Sequence, residues 1–147
     1  MNDENYIPPQ DDRDTHPLSP DPVQKAPQRL PHILDTRIPK AIRFMSTDLN
    51  EVFTVDVLSM MVVGRRNSLK DMEVVIDLSG FDAYKMGVSR YHAMILTFDN
   101  RVTIKDLNSL NGTRLNNLDL EPSREYLLEH DDTVSFGMLS FDITFVY

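Results

Sequence analysis

Gly87-Val88-Ser89-Arg90-Tyr91-His92-Ala93 and, downstream, Leu110-Asn111-Gly112-Thr113 share one local design. Each piece sets a polar side chain beside a glycine that lets the backbone turn, and each leads into an apolar segment. Upstream, Val63-Gly64-Arg65 closes another apolar run with the same kind of turn, so Arg65 projects from a loop. Three loops of this kind, each at a strand end, can converge at one end of a sheet structure.

The segments between these turns alternate with period two. Phe53-Thr54-Val55-Asp56-Val57 and Arg101-Val102-Thr103-Ile104-Lys105 alternate apolar with polar, and Phe141-Asp142-Ile143-Thr144-Phe145-Val146-Tyr147 sets its large apolar groups on one face. This is the pattern of half-buried antiparallel strands. The spacing predicts strands at 41–46, 51–57, 59–63, 74–77, 93–98, 101–105, 113–116, 125–128, 133–136 and 140–147, with a short one near 118–120. Asp99-Asn100 fits a two-residue hairpin turn, because both residue types tolerate positive φ. Residues 79–88 lack periodicity and read as a long working loop. The expectation is an all-β, antiparallel sandwich of about eleven strands.

Composition divides the chain in two. Eight of nine prolines lie at or before Pro39, and all five glycines lie at or after Gly64. Residues 1–40 are therefore expected to form a disordered tail rich in proline and acids, and 41–147 the folded domain. The domain carries sixteen acids and ten bases, a net charge of −6, with no basic stripe. That balance argues against nucleic acid and against an anionic membrane surface. Without cysteine there is neither a disulfide nor a thiolate metal site. The acidic N-terminal residues do not begin a signal peptide and the apolar runs are too short to span a bilayer, so a cytoplasmic location is expected.

The ordered set Gly64-Arg65, Asp77-Leu78, Ser89-Arg90-Tyr91-His92-Ala93, Asp106-Leu107-Asn108-Ser109-Leu110-Asn111-Gly112-Thr113, Leu115-Asn116 and Asp132-Thr133-Val134-Ser135-Phe136-Gly137 resembles the forkhead-associated (FHA) domain family over residues 41–147. The resemblance implies a sandwich that binds phosphothreonine peptides at its loop end, as an adaptor in signalling downstream of a Ser/Thr kinase. It implies that Arg65 and Ser89 hold phosphate, assisted by the Arg90 backbone amide, and that Asn111 holds the peptide main chain. Gly64, His92 and Gly112 would support the site, His92 by bracing the loop that presents Ser89. The chemistry suits these types. Phosphothreonine carries roughly −1.5 to −2 charge and three acceptor oxygens, which call for a guanidinium, a hydroxyl and amide donors. Where some members carry a hydroxyl before the asparagine, this chain has Leu110. Asn117 and Asp131 stand where family glycines are common, and both types tolerate left-handed backbone.

Other functions fit less well. Glu129-His130-Asp131-Asp132 lies on one short turn, which supplies no closed coordination shell, so neither a metal nor a cofactor is expected. Ser89 and His92 lack an orienting acid, and no phosphate-binding Gly-Lys-Ser/Thr loop occurs, so the domain is not expected to be an enzyme. The alternative to phosphopeptide binding is a phosphate-independent scaffold or oligomerisation module, which an exposed, uncharged apolar sheet would favour. Met60, Met61, Met72, Met86, Met94 and Met138 read as core or loop fillers.

Overall fold

The computed structural model describes residues 37–68 and 70–147; the tail expected over residues 1–40 falls outside that range as far as Thr36. Eleven strands follow one another: β1 (Ala41–Ser46), β2 (Val52–Asp56), β3 (Met60–Gly64), β4 (Val74–Asp77), β5 (Tyr91–Phe98), β6 (Arg101–Asp106), β7 (Thr113–Leu115), β8 (Leu118–Asp119), β9 (Tyr126–Leu127), β10 (Thr133–Phe136) and β11 (Leu139–Val146). They form a six-stranded sheet in the order β2-β1-β11-β10-β7-β8 and a five-stranded sheet in the order β4-β3-β5-β6-β9. The expected sandwich is present. Ladder pairing starts at Lys40, whose N–H donates to Val146 O (2.8 Å) and whose carbonyl accepts from Val57 N (2.9 Å).

One pair departs from the antiparallel expectation. β3 and β4 run parallel, with Val62 opposite Val74 and Gly64 opposite Asp77. Residues 65–73 are enough chain to cross back along the sheet edge, which a two-residue hairpin cannot do. As a result both strands end at the same pole, the one that receives the start of β5 and the end of β6.

Alternation does the folding work. In β1 the burial pattern puts Ile42, Phe44 and Ser46 inside and Arg43 and Met45 outside. The core between the sheets is aromatic at its centre: Phe44 stacks on Phe53 at 4.9 Å, and Phe141 meets Phe81 edge-on at 5.3 Å. Phe81 belongs to the 79–88 segment, which opens with a 3-10 turn, Ser79–Phe81. From the same stretch Leu78, Ala83 and Val88 are fully or almost fully buried. The long loop is thus pinned by its own apolar side chains, each worth about 1–3 kcal/mol of burial.

The tight turns obey the residue chemistry. Asp99 and Asn100 have φ of 56° and 60°, the type I′ geometry that suits a twisted hairpin. Asn117 (φ 68°) and Asp131 (φ 71°) take left-handed backbone without glycine. Of the methionines read as fillers, Met61 is fully buried, whereas Met60, Met72 and Met138 are more than half exposed. Met60 is the one whose exposure falls within a strand.

Candidate functional site

Four connections meet at the pole where β3 and β4 end. The first runs from Gly64 to β4 and carries Arg65. Its organiser is Asp71, a buried carboxylate that accepts from Asn67 N (2.8 Å), Ser68 N (3.3 Å) and the Tyr91 hydroxyl (3.0 Å). The Asn67 amide and the Tyr91 hydroxyl, with Arg90 nearby, hold the Asp71 pKa below the ordinary carboxylate value. Tyr91 hydrogen-bonds both Asp71 and Glu73, and those acceptors push its own pKa up to about 12.

Arg65 is held in place. Its Nε donates to Val88 O at 2.8 Å, one Nη donates to Asn67 Oδ1 at 2.9 Å, and the guanidinium lies 4.9 Å from the Tyr84 ring centre. A guanidinium has five N–H groups; two are engaged, and the other three have no acceptor among the described residues. The Arg65 backbone N–H donates to Arg90 O at 3.2 Å, so the first and second connections are joined directly.

Gly64 is demanded by close approach. A Cβ built there would lie 1.9 Å from the Arg90 carbonyl oxygen and 2.7 Å from its carbon. No side chain can stand at that contact without moving the start of β5. Gly112, expected to matter for conformation, has φ of +85° with open space around it, so backbone geometry selects glycine there.

His92 is fully buried at the centre of the pole. Its Nδ1 accepts from Ser89 N (2.9 Å), which leaves Nε2 to donate to Gly112 O (2.9 Å). This tautomer is neutral, and burial, the largest cause, lowers the histidine pKa despite the opposing pull of the Gly112 bond and Asp106. The ring therefore bridges the second connection to the third. Gly112 O also accepts from Gly137 N (3.1 Å), and Met138 N donates to Met86 O (2.8 Å), which brings in the β10–β11 turn.

The third connection is folded around Asp106, buried at 2% exposure. Its carboxylate accepts from Ser109 N (3.0 Å), from the Ser109 hydroxyl, and from the Thr113 hydroxyl (2.7 Å). Ser109 Oγ in turn accepts from Gly112 N at 3.0 Å. The loop then reaches the second connection twice. Leu110 N donates to Ser89 Oγ (3.1 Å), and Asn111 Nδ2 donates to Gly87 O (3.0 Å). The Leu110 amide is therefore spent on Ser89, whose own hydroxyl hydrogen has no acceptor among the described residues. Asn111 is exposed and keeps one N–H and its Oδ1 unengaged there. The Arg90 amide likewise donates to nothing among the described residues, while its side chain sits 3.6 Å from Asp71.

All four residues expected to contact ligand, Arg65, Ser89, Arg90 and Asn111, lie at this pole, with Gly64, His92 and Gly112 beneath them. Asp71 and Asp106 were missed as organisers. Their signals were Ser68 three residues before Asp71 and Ser109 three after Asp106, spacings that close side-chain-to-backbone turns. A cleft of about 570 Å³ opens beside Asn111, lined by Lys85, Gly87, Arg114, Asn117 and Met138 among others. Five of the ten bases in 41–147 (Arg65, Arg66, Lys70, Lys85 and Arg90) lie in the first two connections, so an acidic domain turns positive charge toward this end. The 129–132 turn is built differently: Asp132 accepts from Glu129 N (2.7 Å) and Asn116 Nδ2 (2.9 Å), and His130 Nδ1 from Phe145 N (3.0 Å).

The model of the FHA domain family matches residues 61–137, just over half of the chain. The chain belongs to the FHA domain family. Among curated proteins it is 38% identical over 80 residues to Protein FraH of Nostoc sp. (strain PCC 7120), a match that covers 54% of this chain and only 27% of that relative. Among solved structures, the FHA domain of an Arabidopsis thaliana hypothetical protein superposes with a TM-score of 0.59 at 24% identity, covering 75% of this chain and 88% of that one. The N-terminal FHA domain of S. cerevisiae Rad53p, solved in complex with a phosphothreonine peptide, superposes with a TM-score of 0.54 at 18% identity, covering 71% and 93%. At such identities the likeness establishes the fold, and the FHA pole described above is where its chemistry must be judged. No helix among the described residues is long and apolar enough to cross a membrane.

Proposed function

We propose that this FHA domain binds a phosphothreonine-containing protein or peptide, as a cytoplasmic adaptor acting downstream of a Ser/Thr kinase. One observation carries the reading: the Arg65 guanidinium is anchored on Val88 O, the residue before Ser89, and among the described residues three of its N–H groups, the Ser89 hydroxyl hydrogen and the Arg90 amide have no acceptor. Phosphate has three acceptor oxygens and close to two charges, so a guanidinium, a hydroxyl and an amide answer it group for group. Preorganisation adds to this, since Val88, Asn67 and Tyr84 already fix the arginine and little side-chain entropy is lost on binding. Asn111 stands over the adjoining cleft with one donor and one acceptor available, the complement that an extended peptide main chain offers.

An oriented phosphothreonine peptide library first supplies a ligand, and calorimetry with the full chain then compares that peptide with its unphosphorylated form. Micromolar affinity, about −8 kcal/mol, is expected for the first and far weaker binding for the second. Equal affinity for both forms, or no selection by the library, would defeat the proposal.

A further inference from the structure

The outer faces of the two sheets differ in a way that strand alternation does not require. On the six-stranded sheet the outward positions include Arg43, Thr54, Asp56, Thr133, Asp142 and Thr144, with Met45 and Val52 as an isolated apolar pair near the β2 edge. On the five-stranded sheet the outward positions of β4, β3 and β5 include Val75, Met60, Val62, Met94, Leu96 and Phe98, with Asp77 at the pole end of β4. These are neighbours in register: Met60 is opposite Leu96, and Val62 is opposite Met94. Phe98 is 81% exposed, Met60 57% and Val75 38%, while Val62, Met94 and Leu96 are half-buried by one another. The charge of Asp77 borders the patch at its pole end, where its carboxylate accepts from Arg66 N (3.0 Å) and the Ser79 hydroxyl (2.6 Å). A contiguous apolar face of this kind on a soluble domain marks an interaction surface.

The charges that border it suggest the occupant. On one side, β6 presents Lys105 opposite Met94 and Arg101 opposite Phe98. On the other, Glu73 immediately precedes β4, exposed and bonded to Tyr91. The face therefore has Arg101 and Lys105 along one flank, apolar groups in the middle, and Glu73 and Asp77 along the other, where the Arg66 Nε also donates to Val74 O (2.9 Å). We infer that a second copy of this chain docks on it, five-stranded sheet against five-stranded sheet. A two-fold axis lying in the interface and running along β3 and β5 sets β3 over the partner's β5 and β6 over the partner's β4. Lys105 of each copy then faces Glu73 of the other, the self-complementarity an isologous contact needs. The five strands, of 4, 5, 8, 6 and 2 residues, give a face of about 400 Å² in projection at about 4.8 by 3.3 Å per residue. That is below the ~800 Å² per partner of a standard interface, so the dimer is a weak one that forms in the micromolar range. Because the axis follows the strands, both recognition poles point the same way, so the dimer would engage a ligand phosphorylated at two positions with avidity. The dimer itself needs no phosphate, so it stands or falls separately from the peptide-binding proposal.

Sedimentation equilibrium of the full chain, without peptide, tests this. The expected result is a weight-average mass rising toward twice the monomer between about 5 and 500 μM. Met60→Lys and Phe98→Asp, both at exposed outward positions, should each weaken association at least about tenfold while melting as the wild type does. Lys105→Glu should weaken it too, and adding Glu73→Lys should restore it, a rescue that only opposed flanks produce. A monomer throughout the range overturns the inference. So does a dimer indifferent to Met60→Lys and Phe98→Asp. If association is instead lost only on removing residues 1–36, the tail is the occupant and the sheet-face dimer is wrong.

Discussion

Replacing His92 with alanine separates bracing from binding more sharply than any other change at the pole. The ring is fully buried, bonded at both nitrogens at 2.9 Å and packed edge-on against Phe136 at 5.7 Å. The substitution leaves the part-buried Ser89 N–H without its acceptor, at about 1–3 kcal/mol. Gly112 O loses one of its two donors but keeps Gly137 N, a smaller loss of about 1 kcal/mol. The emptied ring volume adds a cavity term, so the total comes to about 3–5 kcal/mol. Against a typical stability of 5–15 kcal/mol that is severe without being fatal. Urea unfolding followed by fluorescence or circular dichroism should show a lower midpoint with an unchanged slope. Peptide affinity, measured where the variant is still folded, should fall as well, because the Ser89 backbone has lost its anchor. A wild-type midpoint combined with lost binding would refute the bracing role and make the ring a ligand contact.

Arg65→Ala should behave in the opposite way. Binding of the selected phosphopeptide should fall by about 30-fold or more, while the stability loss stays near 1 kcal/mol, because the lost Val88 and Asn67 bonds lie at the surface of the pole. Ser89→Ala should weaken binding less, by about 3–10-fold in calorimetry, as it removes a neutral donor. Gly64→Ala should cost at least about 2 kcal/mol in thermal or urea unfolding, since its Cβ meets the rigid Arg90 carbonyl at 1.9 Å. For pH, the folded His92 pKa lies below the ordinary 6.5, so the folded state binds fewer protons than the unfolded one. Its contribution is complete above 6.5 and is lost as pH falls from there toward the depressed value. A His92→Gln variant should therefore lose less stability than wild type between about pH 7 and 5, measured by urea midpoints at each pH.

Much of this was legible before any coordinates. Period-two alternation marks β1, β2, β6 and β11, which bury one face, whereas β3 shows as a short apolar run and β8, exposed on both residues, shows only as a brief segment between turns. Asp99-Asn100 announced its turn through residue types that accept positive φ. The start of β5 was placed two residues late, since Tyr91 and His92 do not alternate; His92 is buried for its hydrogen bonds rather than for apolar contact. The parallel β3–β4 pair was invisible, because local pattern gives strand identity and not direction. Residues 79–88 show no period in sequence, and their anchoring through Phe81, Ala83 and Val88 follows none either. Asp71 and Asp106 hid for a related reason: a carboxylate that organises a turn looks, in sequence, like any surface acid.

The pairing of β1 with β11 has a kinetic consequence. Ala41 lies opposite Val146 and Ser46 opposite Phe141, so the first of the eleven strands waits for the last. Closing a loop of roughly 100 residues is entropically costly, and such non-local topologies fold in milliseconds to seconds rather than microseconds. During synthesis, at roughly 5–20 residues per second, β1 and β2 spend several seconds exposed as an unfinished hairpin with Phe44 and Phe53 unburied. The core that anchors the 79–88 loop through Phe81 and Phe141 assembles only after β11 leaves the ribosome. Competence for recognition should therefore switch on in a single late step, and a nascent chain stalled before Leu139 should be prey for chaperones rather than a partial reader.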